Sequence, residues 1–353
     1  MGETMEQYRK VYGMLEDEES RDIYLNRLNW LISGDYKYIR NIVSAYLPEM
    51  AAYTEDTLKD LYRAIPLDKD VVLYGAGAIG QTLLAYWAQD KRFVGFCSRT
   101  KVKQENGFCG FPVMSPEELL SRKDMSVIIS AGSATNEIRQ ILEDGRYPRG
   151  QIYTLANFGP QMDDGQYFNP DFMTYGNQEV FIDAGCYDLE TSLKLKKYCN
   201  QVKKIYAFEP DPDNYMICEK KRTQYAYEEV ELLPYGTWSG KGTLHFGQGG
   251  SGSSVNENGT IEVSVVPIDA VVDPADRITM IKMDVEGAEL ESLKGARKTI
   301  QRDKPKLAIC IYHKPEDMTE IPLYIKELVP EYKLYVRHHS NTDNETVLYA
   351  VVP

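Results

Sequence analysis

The sequence is short of positive charge, of histidine and of long apolar runs. Its 40 Lys and Arg face 53 Asp and Glu, a net charge of −13. That deficit excludes a broad basic face of the kind phosphate-backbone binding needs. It equally excludes a polybasic membrane anchor. No nucleic-acid partner is expected. Apolar runs such as Ser126–Ala131 and Leu307–Tyr312 fall far short of the roughly 20 residues of a membrane helix. They read as buried strands, and no membrane span is expected. Met1–Ser20 is rich in Glu and lacks the apolar core of a targeting segment. The six Cys include no C-x-x-C pair, so a zinc site is not indicated. Cys97, Cys186 and Cys310 lie in or beside strand-like runs, where Cys acts as a small hydrophobe. A reduced, cytoplasmic protein is the simplest expectation. Only four His are present, which leaves few imidazoles for proton transfer near neutral pH.

What remains is globular in character, with 43% hydrophobic and 26% charged residues. At about 100–200 residues per domain, the chain holds two or three domains. Residues 1–66 read as helical. Apolar residues recur at spacings of three and four in Glu6–Leu15, Asp22–Ile32 and Tyr36–Leu47, and Thr54 could cap a further helix over Glu55–Ala64. These helices could pair between subunits of a homo-oligomer. Residues 67–157 alternate strands (Val71–Tyr74, Phe93–Cys97, Val127–Ser130, Gln151–Leu155) with helices. Breakers such as Gly159-Pro160 and Asn169-Pro170 make residues 158–178 a linker. A second alternating series fills 179–353 and closes with a hairpin, Tyr332–Arg337 and Thr346–Val352. Such alternation predicts α/β architecture with doubly wound, Rossmann-like parallel sheets.

The first glycine-rich turn is Gly75-x-Gly77-x-x-Gly80, between a strand and a helix. That context favours a phosphate or dinucleotide at the helix N-terminus. A dehydrogenase would carry an acid after the second strand. This chain has Phe96-Cys97-Ser98-Arg99-Thr100 there, which counts against an NAD(P)-linked oxidoreductase. The runs Phe93–Phe96 and Cys109–Val113 resemble the N-terminal nucleotide-sugar-binding domains of some sugar acyltransferases. That resemblance implies a nucleotide or nucleotide-sugar site. A degenerate scaffold used for docking is the alternative.

The denser chemistry lies further on. Phe181-Ile182-Asp183-Ala184-Gly185-Cys186-Tyr187 brings an acid and a glycine to a strand's C-terminal end, where ligands of open α/β sheets bind. Glu209-Pro210 closes the next strand, and an acid there can accept both hydroxyls of a ribose. Met283-Asp284-Val285-Glu286-Gly287-Ala288-Glu289 again runs from strand to acidic turn to helix. Asp284 and Glu286 are expected in the same crevice as Asp183 and Glu209. Glu289 reads as helix N-terminal chemistry, since acids there favour the macrodipole.

These segments, with Leu293-Lys294-Gly295-Ala296, resemble the FkbM-type methyltransferases over roughly residues 179–350. The resemblance implies a class I fold with seven strands, one of them antiparallel. It also implies S-adenosylmethionine as methyl donor, with S-adenosylhomocysteine as product. Members act mainly as O-methyltransferases on sugars and secondary metabolites, so a small-molecule or glycan acceptor is implied. By position, Asp183 and Gly185, with the adjoining Cys186 and Tyr187, would sit by the methionine part. Glu209, followed by Pro210, would hold the ribose hydroxyls, and Trp238 could lie against the adenine. Leu189 departs from the pattern, standing where the family often has a second Gly. The strand before His313 also lacks the family's acid. The segment Gly247–Ser254 reads as a flap.

Methyl transfer to a hydroxyl needs alignment and a proton acceptor. His313, at the end of a buried-type strand, is the first candidate base. Glu286 and Asp284 are the competing base or acceptor-positioning groups. These two acids could also hold a divalent metal, as clustered carboxylates can, but the sequence lacks a dense acid cluster and no metal is expected. His338-His339 reads as a surface pair. A non-catalytic nucleotide-sugar-binding or regulatory protein working through Gly75–Gly80 is the alternative function.

Overall fold

The computed structural model describes residues 2–50, 61–88, 90–131, 134–154, 163, 165–168, 170–246 and 261–352. The expected helix over 55–64 falls largely outside them, and the flap over 247–254 does so wholly. The chain forms two compact units, Val43–Gln161 and Met1–Ile42 with Met162–Pro353.

The contiguous unit holds five parallel strands: β1 (Val71–Tyr74), β2 (Phe93–Cys97), β3 (Val113–Met114), β4 (Ser126–Ile129) and β5 (Ile152–Thr154). Their order is β3-β2-β1-β4-β5. The central strands β1 and β4 are buried throughout, which is why they read as unbroken apolar runs rather than alternating ones. Two short helices, Lys101–Asn106 and Pro116–Ser121, and the two-residue β3 between them lie below the length at which periodicity is visible.

The discontinuous unit carries a seven-stranded sheet. Its strands are β6 (Glu179–Ala184), β7 (Val202–Phe208), β8 (Val230–Leu233), β12 (Met280–Met283), β13 (Lys306–Cys310), β14 (Lys333–His338) and β15 (Thr346–Val351). A small sheet of β9 (Gly236–Thr237), β10 (Gly242–Phe246) and β11 (Ile261–Val266) intervenes in the chain. The large sheet runs β14-β15-β13-β12-β6-β7-β8, and β15 alone is antiparallel to its neighbours. The chain moves outward from β6 to β7 and β8, then returns to β12 on β6's other side. The order therefore reverses between β6 and β12, and the crevice at their C-terminal ends is the expected ligand site. Asp183 stands opposite Lys282 in that register.

Three expectations need correction. The helical region 1–66 is divided, because Met1–Ile42 belongs to the unit of the seven-stranded sheet. The helix Glu18–Ser33, capped by Asp17 and ended by Gly34 at φ 66°, packs on β14. Ser20 Oγ accepts from Val336 N at 2.9 Å, and Asp17 pairs with Arg337 at 2.6 Å. Ile23, Tyr24 and Arg27 of this helix are buried within the chain. The supposed linker contributes to the core: Tyr167, Phe168 and Met173 are buried in the cluster under β6. His338 and His339 are buried, not a surface pair. His338 sits between Thr346 Oγ1 (2.9 Å) and the Thr342 carbonyl (2.8 Å), while His339 meets Tyr349 Oη at 2.7 Å. Burial pulls both histidine pKa values down, so both imidazoles are neutral polar core. Among the described residues, no helix is long and apolar enough to cross a membrane.

Candidate functional site

β6 delivers Asp183 into a fully buried position. Lys282 Nζ lies 3.0 Å from its Oδ1, and Ser192 Oγ donates to its Oδ2 at 2.6 Å. Lys282 also donates to the Gly185 carbonyl at 2.7 Å. Burial alone would lower the lysine's pKa, but Asp183 and then Asp284 outweigh it and hold the ammonium charged. Asp183 is thus the anchor beneath the turn. Gly185 takes φ 78°, and a Cβ there would lie 2.0 Å from the Asp284 carbonyl. Only glycine lets the first turn pass so close to the third.

Cys186, Tyr187 and Glu209 form the far wall. Glu209 ends β7 and accepts from Tyr187 N (2.8 Å) and Asp211 N (2.9 Å). A carboxylate offers about four acceptor positions, so two amides leave room for a ligand's hydroxyls. Burial raises the Glu209 pKa to about 7. Cys186 is buried and bonds Phe208 O through its amide, whereas the Tyr187 side chain is exposed. Gly236 approaches Pro210, which brings β9 to the end of β7. Trp238 follows β9, half-buried, with its amide donating to Val266 O at 3.0 Å.

Leu189 takes the left-handed conformation, φ 68°, that explains a glycine preference there. Its side chain is wholly buried in the core cluster behind β6. Leu189→Gly should relieve about 1–2 kcal/mol of backbone strain. It should lose more, since truncating a buried leucine costs about 2–5 kcal/mol. Net destabilisation in urea titration is the expected result, and a more stable variant would reverse this account.

The third turn meets β13 at a cluster that the sequence left dispersed. His313 lies just beyond β13, 11% exposed, among three carboxylates. Its Nδ1 is 2.9 Å from Glu289 Oε1; its Nε2 is 3.5 Å from Asp284 Oδ1 and 3.6 Å from Glu286 Oε2. Burial lowers the imidazole pKa, but the Glu289 contact and the other acids raise it to about 9. Asp284 also accepts from Tyr167 Oη and Tyr312 Oη, each at 3.1 Å. Burial works to raise its pKa, yet Lys282 and His313 keep it below the usual range. Burial pushes Glu286, Glu345 and Asp317 each up to about 7. Glu345 joins from the β14–β15 loop, accepting from Tyr312 Oη at 3.3 Å and Gln166 Nε2 at 2.5 Å.

Sequence reasoning brought Asp284, Glu286 and His313 together, and the structure does so too. It missed Tyr167, Tyr312 and Glu345, and it read Glu289 only as a helix-end acid. Glu289 does accept from Val285 N at 2.9 Å, but it faces His313 as well. Backbone strain marks the same place. Tyr187, Leu189, Glu286 and Glu345 all have φ between 55° and 68°. Such residues cost about 1–3 kcal/mol each and cluster at functional sites.

In the other unit, the three glycines divide their work. A Cβ on Gly75 would lie 2.3 Å from Ser130 O, and one on Gly80 would lie 2.1 Å from Gly75 O. Gly77 opens on free space at the N-terminus of the helix Ala78–Trp87.

Comparison with known proteins fits this division. Residues 177–332 match the methyltransferase FkbM domain, and residues 40–155 match the C-methyltransferase C-terminal domain. Both are methyltransferase models, and they support a methyltransferase. The second gives no support to a nucleotide-sugar-binding domain of the acyltransferase kind. No curated protein sequence matches the chain. Methyltransferase FkbM from Methylobacillus flagellatus KT is similar in fold, with 18% identity and TM-score 0.50 over 89% of this chain and 98% of its own. An rRNA methylase from Streptococcus thermophilus shares 17% identity over 50% of this chain and 89% of its own, with TM-score 0.34. A precorrin-6y C5,15-methyltransferase from Geobacter metallireducens GS-15 shares 11% identity over 51% and 82%, also with TM-score 0.34. The strand order of the two largely parallel sheets and the fold likeness to the Methylobacillus flagellatus protein bear out the α/β class expected from sequence.

Proposed function

We propose that this protein is an S-adenosylmethionine-dependent O-methyltransferase acting on a hydroxyl of a sugar, glycan or secondary metabolite. The observation that carries the reading is a convergence at one sheet edge. The Gly185 turn, Glu209 and the Asp284–Glu286–His313 cluster all lie at the C-terminal ends of β6, β7, β12 and β13. Glu209 would hold the ribose hydroxyls of the cofactor, with Cys186, Tyr187, Pro210 and Trp238 around it. Asp183 acts through Lys282 and Gly185, fixing the turn beneath the methionine part. The cofactor supplies an activated methyl, so the chain's task is to align the acceptor oxygen and take its proton. Asp284 orients the acceptor, and the proton passes to Glu286, whose carboxylate is steadied by the charged His313 beside it. The six free cysteines fit a reducing, cytoplasmic setting. A nucleotide or nucleotide sugar at Gly75, Gly77 and Gly80 is the second reading, favoured by the open space at Gly77.

Calorimetric titration with S-adenosylhomocysteine tests the main reading. Glu209→Ala should weaken binding by about 1.5–3 kcal/mol, the range for hydrogen bonds to a charged group. Binding should also weaken as pH falls. Glu209 titrates near 7, so its carboxylate, the form that accepts hydroxyls, is lost on going from pH 8 to pH 6. Undiminished binding at pH 6, or in the alanine variant, would remove Glu209 from the site.

A further inference from the structure

We propose that Asp284, Glu289 and His313 form a binding site for one divalent first-row transition cation. The inference deepens the methyltransferase reading and rests on it, because Asp284, the acceptor-positioning group, is one of the ligands. Each residue offers a ligand atom, and the three atoms lie within 4.8 Å of one another. Ligands 2.0–2.2 Å from a single cation stand roughly 3–4.4 Å apart, so sub-ångström side-chain shifts close the triad. A second observation points to a missing partner. Glu289 has no solvent exposure, and its Oε2 has no hydrogen-bond partner. Its other oxygen is held by Val285 N, which fixes the carboxylate in place. His313 Nδ1, though 2.9 Å from that oxygen, also lies outside hydrogen-bond geometry. Buried polar atoms are ordinarily satisfied, and a wholly buried carboxylate oxygen without a donor, in a cluster that already holds a second carboxylate and an imidazole, calls for an ion.

The surrounding charge has the same sign. Glu286, Glu345 and Asp317 face the cluster in addition to the two carboxylate ligands. Of the nearby lysines, Lys282 is engaged by Asp183, and Lys314 donates to the Gly287 carbonyl. Mixed imidazole and carboxylate ligation suits Mn(II), Co(II) or Zn(II) better than Mg(II) or Ca(II), which prefer all-oxygen sites. The bound cation would hold the acceptor oxygen and favour its ionisation. His313 is then a ligand, and the proton falls to Glu286 alone.

The test is titration of the chelator-treated full chain with Mn(II), following the free-ion signal by electron paramagnetic resonance. One Mn(II) per chain is expected, displaced by Zn(II) and not by equimolar Mg(II). Glu289→Gln and His313→Gln should each weaken binding at least tenfold while the circular-dichroism melt stays cooperative. Absence of Mn(II) binding by the unmodified chain overturns the proposal. So does wild-type affinity in the substituted chains; if either fails to fold, Asp284→Asn takes its place. S-adenosylhomocysteine titration of the same preparation separates the two readings. Cofactor binding without Mn(II) binding refutes the cation site alone. Mn(II) binding without cofactor binding refutes the methyltransferase reading alone.

Discussion

Lys282→Met should cost about 3–5 kcal/mol of stability, the range for breaking one partner of a buried ion pair. The lysine and Asp183 are 3% and 0% exposed, so water cannot take over the lost charge. Ser192 would remain as the single donor to the carboxylate. The substitution also removes the donor to the Gly185 carbonyl, releasing the turn from below. Urea unfolding should therefore show a lower midpoint, and S-adenosylhomocysteine affinity should fall with it. A double variant, Asp183→Leu with Lys282→Met, separates the two effects. Replacing both charges with apolar groups should restore much of the stability. It should not restore cofactor binding, because the turn still lacks its tether. Recovery of both would show that the pair is structural filling and nothing more.

Glu286→Gln should lower methyl transfer by about 10²–10⁴-fold, the range for loss of a positioned proton acceptor. Cofactor affinity should stay close to normal, because Glu286 faces His313 and not Glu209. The amide keeps the shape of the side chain and its left-handed backbone, so folding is little affected. Single-turnover assays with a methylated product as readout separate this from slow product release. An unchanged rate would remove Glu286 as the proton acceptor. His313→Ala is expected to reduce turnover as well.

The parts of this molecule that the sequence made legible are those written in consecutive residues. Strands such as β6 and β12 are buried on both faces, so their apolar runs stand out, and each ends in an acid and a glycine. The order of those turns along the chain was enough to place Asp183, Glu209 and Asp284 at one edge. What was not legible depends on residues far apart in sequence. Tyr167 lies in a stretch rich in breakers, and nothing local shows that its hydroxyl reaches Asp284, 117 positions on. Glu345 follows a loop, and its role exists only because β15 returns antiparallel beside β13. Glu289 satisfies a local rule so well that its contact with His313 was hidden behind it. His338 and His339 misled for the opposite reason: polar residues near a hairpin turn suggest solvent, yet the helix Glu18–Ser33 covers that strand.

The way that helix is held bears on how the chain comes off the ribosome. Val336 N reaches Ser20 Oγ across 316 positions, and Tyr24 Oη donates to Met318 O across 294. The helices of residues 2–33 therefore wait for partners in residues 317–338. Residues 43–161, contiguous and rich in nearer contacts, can close while those helices are still without a sheet. Contacts of such long range slow folding. Nascent chains stalled before β14 should expose Ile23 and Tyr24 to chaperones and proteases, and release past β15 should bury them.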